Sequence, residues 1–189
     1  VFVEFVFKEV SDSGSLLGGK YIKAMRGDST CADSAAGTTA AQGLIDGGVV
    51  AIMGADCSGV TTAIADNAAI PNGVVMISPS ATSPALTSIN DNGYFFRTAP
   101  SDARGGEILA KITKDRKVKS IAITYTNNDY GKGLADVYES FVKSLGIKVT
   151  AVTAHEEGKA DYGAEVATLA AAGGDALAVL GYLDQAGGS

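Results

Sequence analysis

Hydroxyl and phenol side chains follow four predicted strands, at the edge where a parallel sheet gathers ligand-binding groups. Ser58 follows one strand and opens a predicted helix, whose free N–H groups and positive dipole end suit a carboxylate or a phosphate. Ser80 and Thr82 follow the next strand, and their hydroxyls and carbonyls can accept hydrogen bonds from an ammonium group. Tyr130 and Tyr182 follow two later strands. Together these residues predict a small zwitterion site with aromatic walls.

Each of these residues also has a structural interpretation. Ser58 has the residue type of a helix N-cap. Ser80 and Thr82 lie between Pro79 and Pro84, where a simple turn would account for their polarity. Either tyrosine alone is compatible with a place in the core or on the surface.

The elements that position these residues alternate along the chain. The first residues indicate a helix that stops at Ser13-Gly14, because Gly is the usual residue just past a helix end. Alternating strands and helices predict an α/β fold with doubly wound parallel sheets. Short strands without polar alternation fit sheets covered on both faces. The strand-like runs are 21–25, 49–53, 74–78, 94–98, 120–125, 148–154 and 176–180, and the helical segments are 34–45, 59–69, 102–116, 134–145 and 162–172.

Composition and charge exclude several classes of protein. A hydrophobic fraction of 46% and a charged fraction of 19% exclude intrinsic disorder. No run of about 18 apolar, uncharged residues is present to span a membrane. A net charge of −6 without a basic stripe argues against binding to nucleic acid.

Catalytic, cofactor and metal motifs are not recognisable. The one histidine, His155, lies among acidic and basic residues without a nucleophile beside it, so we expect a surface histidine. Gly131-Lys132-Gly133 starts a dinucleotide fingerprint, but Asp136 occupies its third glycine position. No Cys/His spacing for a metal occurs. We therefore predict no enzyme, no cofactor and no metal, with an α/β enzyme whose catalytic groups lie in further sequence as the alternative.

A series of motifs carries a family resemblance over nearly all of the 189 residues. The chain resembles the periplasmic leucine/isoleucine/valine-binding receptors of branched-chain amino acid ABC transporters, which have the type I periplasmic-binding fold. The most specific element is Ile77-Ser78-Pro79-Ser80-Ala81-Thr82 within residues 76–87. The other motifs are Cys31-Ala32-Asp33, Asp56-Cys57-Ser58-Gly59, Phe96-Arg97-Thr98 and Asp129-Tyr130-Gly131-Lys132-Gly133.

The resemblance implies a function and a role for each site residue. It implies an exported receptor, periplasmic or extracellular, that binds a small amino acid and delivers it to a membrane permease. Ser58 takes the position of the α-carboxylate ligand, Ser80 and Thr82 hold the ammonium and carboxylate ends, and Tyr130 and Tyr182 form the aromatic pocket. A different organic acid or an amide on the same scaffold is the alternative ligand.

The resemblance also implies two lobes that close on the ligand, both incomplete here because the family is usually nearly twice as long. We expect residues 1–99 to form an N-terminal lobe without its first strand, and residues 100–189 to form the start of the second lobe. The family's acidic partner for the ammonium group is expected to lie outside this chain.

The two cysteines are expected to form one disulfide. The resemblance points to an exported protein, where disulfides persist. Cys31 and Cys57 both follow predicted strands of the same sheet, at the same edge. Two free core thiols are the alternative.

Overall fold

The computed structural model describes residues 2–182, which form parallel sheets and helices in alternation. The strands are β1 (Ala51–Met53), β2 (Val75–Ser78), β3 (Phe95–Arg97), β4 (Ser120–Thr126), β5 (Lys148–His155) and β6 (Ala176–Leu180). The helices are α1 (Phe2–Asp12), α2 (Ser34–Asp46), α3 (Ser58–Ile64), α4 (Asp102–Asp115), α5 (Asp129–Ser144) and α6 (Gly163–Ala172). The α/β fold with parallel sheets predicted from the sequence is confirmed.

The first sheet has the strand order β1-β2-β3, with all strands parallel. One residue from each strand, Ile52, Met76 and Phe95, faces the core, because strand side chains alternate between the two faces. These side chains pack with α3 and with its π-helical continuation Ala65–Ala69. The carboxyl ends of β1 and β2 therefore lie side by side and carry the Ser58 and Ser80–Thr82 loops to one edge.

The second sheet has the order β5-β4-β6, again parallel, with a core of its own. Ile123 from β4 and Tyr138 and Val142 from α5 are buried in that core. Because β4 is central, the loops after β4 and β6 are neighbours at the carboxyl edge. This arrangement brings Tyr130 and Tyr182 together.

Helix α5 begins five residues before the predicted start at residue 134. Asn128 is its N-cap, and the Asn128 side chain accepts a hydrogen bond of 2.9 Å from the Gly131 N–H. Gly131 is required for packing, because a Cβ at this position would lie 2.2 Å from the Thr126 carbonyl oxygen. The glycines in this segment therefore allow close helix–strand approach and do not mark a loop or a dinucleotide site.

The strand predicted at residues 21–25 does not form. Tyr21 and Met25 are exposed, and no strand within residues 2–182 pairs with this segment. The apolar content of the segment favours an extended backbone, but a strand also needs a neighbour for its N–H and C=O groups. Helix α1 ends before Gly14, as predicted, and Gly14 adopts a φ of +68°.

Candidate functional site

A cavity of about 340 Å³ lies where the carboxyl ends of the two sheets meet. All five sequence-predicted ligand residues lie in its wall, although they come from four separate loops. Asp56 and Cys57 complete the wall. The full lining is Asp56, Cys57, Ser58, Ser80, Thr82, Tyr130 and Tyr182.

Ser58 is the first residue of α3 and is only 2% exposed. Its Oγ accepts a hydrogen bond of 3.1 Å from the backbone N–H of Ser83. Cys57 occupies the N-cap position and makes no side-chain capping bond, so the interpretation of Ser58 as an N-cap is wrong. The Ser58 hydroxyl thus accepts from Ser83 and also carries one O–H donor at the cavity wall.

Hydrogen bonds fix the loops after β1 and β2 against each other. The Ser78 hydroxyl donates to the Ala55 carbonyl over 2.6 Å and accepts from the Ala81 N–H over 3.0 Å. The Ser80 hydroxyl donates to the Asp56 carbonyl over 3.0 Å. Ser80 is exposed, and its hydroxyl joins the two loops instead of packing in the core. Hydrogen bonds between the two loops thus join the parts of the wall that carry Ser58 and Thr82.

Arg97 organises the loop that carries Thr82, a role that its sequence motif did not reveal. One guanidinium nitrogen, Nη1, donates to the carbonyls of Ser83 over 2.8 Å and Ala81 over 3.3 Å. The other, Nη2, donates to the Thr87 hydroxyl over 2.6 Å, at the end of the short 3₁₀ turn Pro84–Thr87. A single cation therefore holds the carbonyl groups of this loop in one orientation.

Asp102 is an acidic residue next to Thr82 of the cavity wall, although it is not itself a lining residue, and sequence reasoning missed it. It is the first residue of α4, and its backbone N–H donates to the Thr82 carbonyl over 2.9 Å. Its carboxylate oxygen Oδ2 is buried and has no hydrogen-bond partner. Burial raises the pKa of this carboxyl, while the Thr82 hydroxyl and the Arg97 charge offset part of the rise. One oxygen of this partly desolvated carboxylate, Oδ2, thus still lacks a donor.

Tyr130 and Tyr182 form a stacked pair, with ring centroids 5.1 Å apart and planes inclined by 25°. Burial raises the pKa of both phenols. The negative charge of Asp102 raises the pKa of Tyr130 further, and the charges of Glu157 and, less strongly, Asp102 raise that of Tyr182. The pair therefore forms an aromatic wall close to the acidic group.

A second cavity of about 380 Å³ adjoins the first and shares Cys57, Ser58 and Tyr182 with it. Its polar wall is internally hydrogen-bonded. Asn127 donates to Glu156 over 2.6 Å. Thr126 and Asn128 both donate to Glu157 Oε1, over 2.7 and 2.8 Å. The cleft between the two sheets is therefore larger than the small-ligand cavity alone.

Cys31 and Cys57 form the predicted disulfide, with their Cα atoms 5.4 Å apart. Cys57 follows β1 as expected, but Cys31 follows an extended segment that belongs to no sheet. The bridge ties that segment to the residue before Ser58.

His155 is buried and not at the surface, so that prediction is wrong. It ends β5, is 6% exposed, and its Nδ1 hydrogen-bonds the Thr124 hydroxyl over 2.8 Å. The charged residues that follow it in sequence lie beyond the strand. Within residues 2–182 no His, Cys, Asp and Glu cluster could hold a metal ion. The helices of the same residues are also too short or too polar to cross a bilayer.

Comparison with known proteins supports a ligand-binding fold. Residues 3–172 match the family described as "Receptor family ligand binding region". The chain belongs to this receptor ligand-binding family. A match over this range includes strands β1 to β5 and all the residues that line the first cavity except Tyr182.

Within the receptor ligand-binding family, the chain is similar to leucine/isoleucine/valine-binding proteins, which confirms the resemblance seen in the sequence. It is 28% identical to the Leu/Ile/Val-binding protein homolog 3 of Brucella melitensis, over 97% of this chain and 49% of that protein. It is 32% identical to the leucine-, isoleucine-, valine-, threonine-, and alanine-binding protein of Pseudomonas aeruginosa, over 85% and 42% respectively. The chain thus spans about half the length of these relatives.

A solved structure shows the same relationship. The branched-chain amino acid transporter substrate binding protein LivJ of Streptococcus pneumoniae, in complex with isoleucine, superposes with a TM-score of 0.78. It is 27% identical, and the alignment covers 95% of this chain and 50% of LivJ. These three relatives are described as binding proteins and not as enzymes.

Proposed function

We propose that this protein is an extracytoplasmic solute-binding receptor of an ABC transporter that binds a small α-amino acid of the branched-chain type. The observation that carries the proposal is the single cavity lined by Ser58, Ser80, Thr82, Tyr130 and Tyr182, with the Asp102 carboxylate beside it. This set supplies a donor for a carboxylate, an acid for an ammonium group and an apolar wall.

The α-carboxylate is held at the start of α3. The Ser58 hydroxyl has a proton to donate, and the first N–H groups of a helix have no partner within the helix. Hydrogen bonds to a charged partner contribute about 1.5–3 kcal/mol each. An aliphatic carboxylate therefore fits this end of the cavity.

The α-ammonium group is held by Asp102 together with the loop after β2. The unpartnered Asp102 Oδ2 needs a donor, and an ammonium group carries three. The Thr82 hydroxyl and the Ser80 carbonyl are further acceptors at the same side of the cavity. This pairing compensates a carboxylate that burial otherwise destabilises.

The ligand side chain packs against the tyrosine pair. A stacked pair of rings provides a flat apolar surface with two phenol groups at its edge. A cavity of about 340 Å³ lies in the range of small-molecule sites.

The two sheets belong to two lobes that close over the ligand. We place the boundary near residue 99, between β3 and α4, so that residues 1–99 and 100–189 contribute to different lobes. Residues 183–189 lie outside the described part of the second lobe. The separate cores of the two sheets support this division. Closure predicts a smaller radius of gyration in solution scattering when the ligand is present.

Delivery to a membrane permease and a location outside the cytoplasm complete the proposal. The relatives' descriptions support the transporter role. The Cys31–Cys57 disulfide supports export, because such bonds persist in oxidising compartments. The cavity wall contains no histidine and no free cysteine, which supports a binding protein over an enzyme.

Calorimetry with leucine and its two truncated analogues tests the proposed function in the protein at its natural length. 4-Methylpentanoate lacks the ammonium group, and 3-methylbutylamine lacks the carboxylate. We expect leucine to bind and each analogue to bind at least tenfold more weakly, because 4-methylpentanoate leaves the Asp102 carboxylate without a donor and 3-methylbutylamine leaves the Ser58 hydroxyl and the helix N–H groups without an acceptor. Equal binding of 4-methylpentanoate would instead identify the protein as a receptor for organic acids.

A further inference from the structure

Asp56 is a charged residue in the cavity wall. It has no role in the contacts proposed above for the ammonium and carboxylate groups of the ligand. It lies in the loop after β1, two residues before Ser58, and its side chain is exposed. The Ser80 hydroxyl donates to the Asp56 carbonyl and lies 3.3 Å from the carboxylate oxygen Oδ1. The same loop contact that shapes the wall therefore also orients this carboxylate.

No cation neutralises Asp56 within residues 2–182. None of the ion pairs of these residues includes it. The described residues that line the two cavities include no lysine or arginine. Water solvates the carboxylate while the cleft is open. When the cleft closes on a ligand, the carboxylate loses that water and needs a donor in its place.

A purely aliphatic side chain cannot supply this donor. It would cover the Asp56 carboxylate with methyl groups and leave it only the 3.3 Å contact of the Ser80 hydroxyl with Oδ1. A hydroxyl or ammonium group on the ligand side chain would form a hydrogen bond to a charged acceptor, which is stronger than one between neutral groups. Asp56 therefore favours binding of a side chain that donates a hydrogen bond and disfavours binding of an aliphatic one. A single residue of the cavity wall can in this way set the side-chain preference.

We propose that Asp56 determines side-chain specificity and makes the site prefer α-amino acids whose side chains donate a hydrogen bond over aliphatic ones of the same shape. This inference rests on the proposed function for the head group of an α-amino acid, and it shifts the preferred side chain from the aliphatic branched-chain type to one that donates a hydrogen bond. Asp56 acts on the side chain of the ligand, whereas Ser58, Thr82 and Asp102 act on its head group.

Matched ligand pairs test the inference by calorimetry on the protein at its natural length. Threonine and valine differ by one hydroxyl in place of a methyl, and lysine and norleucine differ by a terminal ammonium group. We expect threonine to bind at least threefold more tightly than valine, or lysine at least threefold more tightly than norleucine. In the Asp56→Leu variant, the aliphatic ligand of the pair that shows the preference should bind more tightly than its partner. The Asp56→Asn variant keeps an acceptor oxygen and should show a smaller affinity ratio in the same direction as the parent.

The matched control is Asp66→Leu, which removes an exposed carboxylate from the helix that follows Ser58, away from the cavity. It should leave both affinity ratios unchanged. Valine and norleucine binding as tightly as their partners in the parent protein would overturn the inference and leave the proposed function intact. A uniform loss of affinity for all four ligands in Asp56→Asn would also overturn it, because Asp56 would then bind the head group. Binding of none of the four would instead count against the proposed function.

Discussion

The Ser58 hydroxyl accepts a hydrogen bond of 3.1 Å from the Ser83 backbone N–H, and so joins the start of α3 to the loop after β2. The two residues are 25 positions apart in the chain. The bond uses one acceptor position of the Ser58 oxygen, and the hydroxyl still carries one proton that it can donate. It also couples the carboxylate end of the site to the loop that carries Thr82.

Ser58→Ala and Thr82→Ala are each expected to weaken amino acid binding by about tenfold or more, which corresponds to about 1.4 kcal/mol. Each substitution removes a hydroxyl that contacts the charged head group. Calorimetry measures the affinity, and circular dichroism checks that the fold is intact. Ser80→Ala is the comparison variant. It should matter much less, because its carbonyl would be the contact and its hydroxyl binds the Asp56 carbonyl. Parent-like affinity in both Ser58→Ala and Thr82→Ala would rule out this cavity as the binding site.

Asp102→Asn is expected to stabilise the ligand-free protein at neutral pH while weakening ligand binding. Burial raises the pKa of Asp102 above its usual value of 3.8, so the folded state disfavours the charged form that the unfolded chain carries. Stability associated with this group is therefore fully present below that usual value and is lost as the pH rises through the raised pKa. Thermal unfolding of parent and variant should diverge at neutral pH and converge in acid. Equal melting temperatures at both pH values would contradict this assignment.

Ligand affinity should change with pH in the opposite direction to the stability of the ligand-free protein. The ammonium group needs the ionised carboxylate, so affinity in the parent should fall as the pH drops through the raised pKa of Asp102. An unperturbed aspartate would hold its charge to a lower pH. The Asp102→Asn variant should have a weaker and flatter pH profile.

Loss of the disulfide is expected to destabilise the fold by roughly 3 kcal/mol on the loop-entropy account. Cys31 and Cys57 are separated by 26 positions. Urea unfolding of a Cys31→Ser, Cys57→Ser double variant measures the change. Thiol titration of the denatured, non-reduced parent provides the independent check, and two free thiols per chain would show that the bond is not formed.

Several features of the site could be predicted from residue pattern because they are local. Short apolar runs located the strands, and the polar residues just after them located the cavity wall. Parallel strands bring their carboxyl ends to one edge, so Ser58, Ser80 and Thr82 were predictable as neighbours. Tyr130 and Tyr182 were predictable as neighbours for the same reason, because they follow parallel strands of the second sheet.

The features that were missed depend on contacts between distant segments. Asp102 has the sequence signature of an ordinary acidic residue in the first turn of a helix, and only the fold places its carboxylate beside Thr82 and the two tyrosines. His155 was assigned to the surface from its charged neighbours, yet the strand register turns its side chain inward to Thr124. Residues 21–25 have the composition of a strand but lack a partner.

Adjacent glycines in α4 offer a test of how closely the helices of the second sheet must pack. A Cβ on Gly106 would lie 2.7 Å from Val137 Cγ1 and 3.1 Å from the Tyr138 backbone nitrogen, whereas one on Gly105 meets only an Asp102 oxygen at 3.8 Å. Gly106→Ala is expected to cost about 1–3 kcal/mol through overpacking. Gly105→Ala is expected to gain up to about 1 kcal/mol from helix propensity. Urea unfolding compares them, and equal effects would contradict the close approach of α4 to α5.

The division of the site between two sheets has a consequence for the time course of binding. The head-group contacts at Ser58 and Thr82 are held by a loop framework that exists before closure, so an arriving ligand meets a prepared surface and associates without waiting for it to order. The tyrosine wall belongs to the other sheet and completes the enclosure afterwards. The residence time of the ligand, rather than its rate of arrival, is then the quantity that the stacked Tyr130–Tyr182 pair controls. In the receptor proposed above, the opening of this aromatic side is therefore the step expected to set the rate of ligand release.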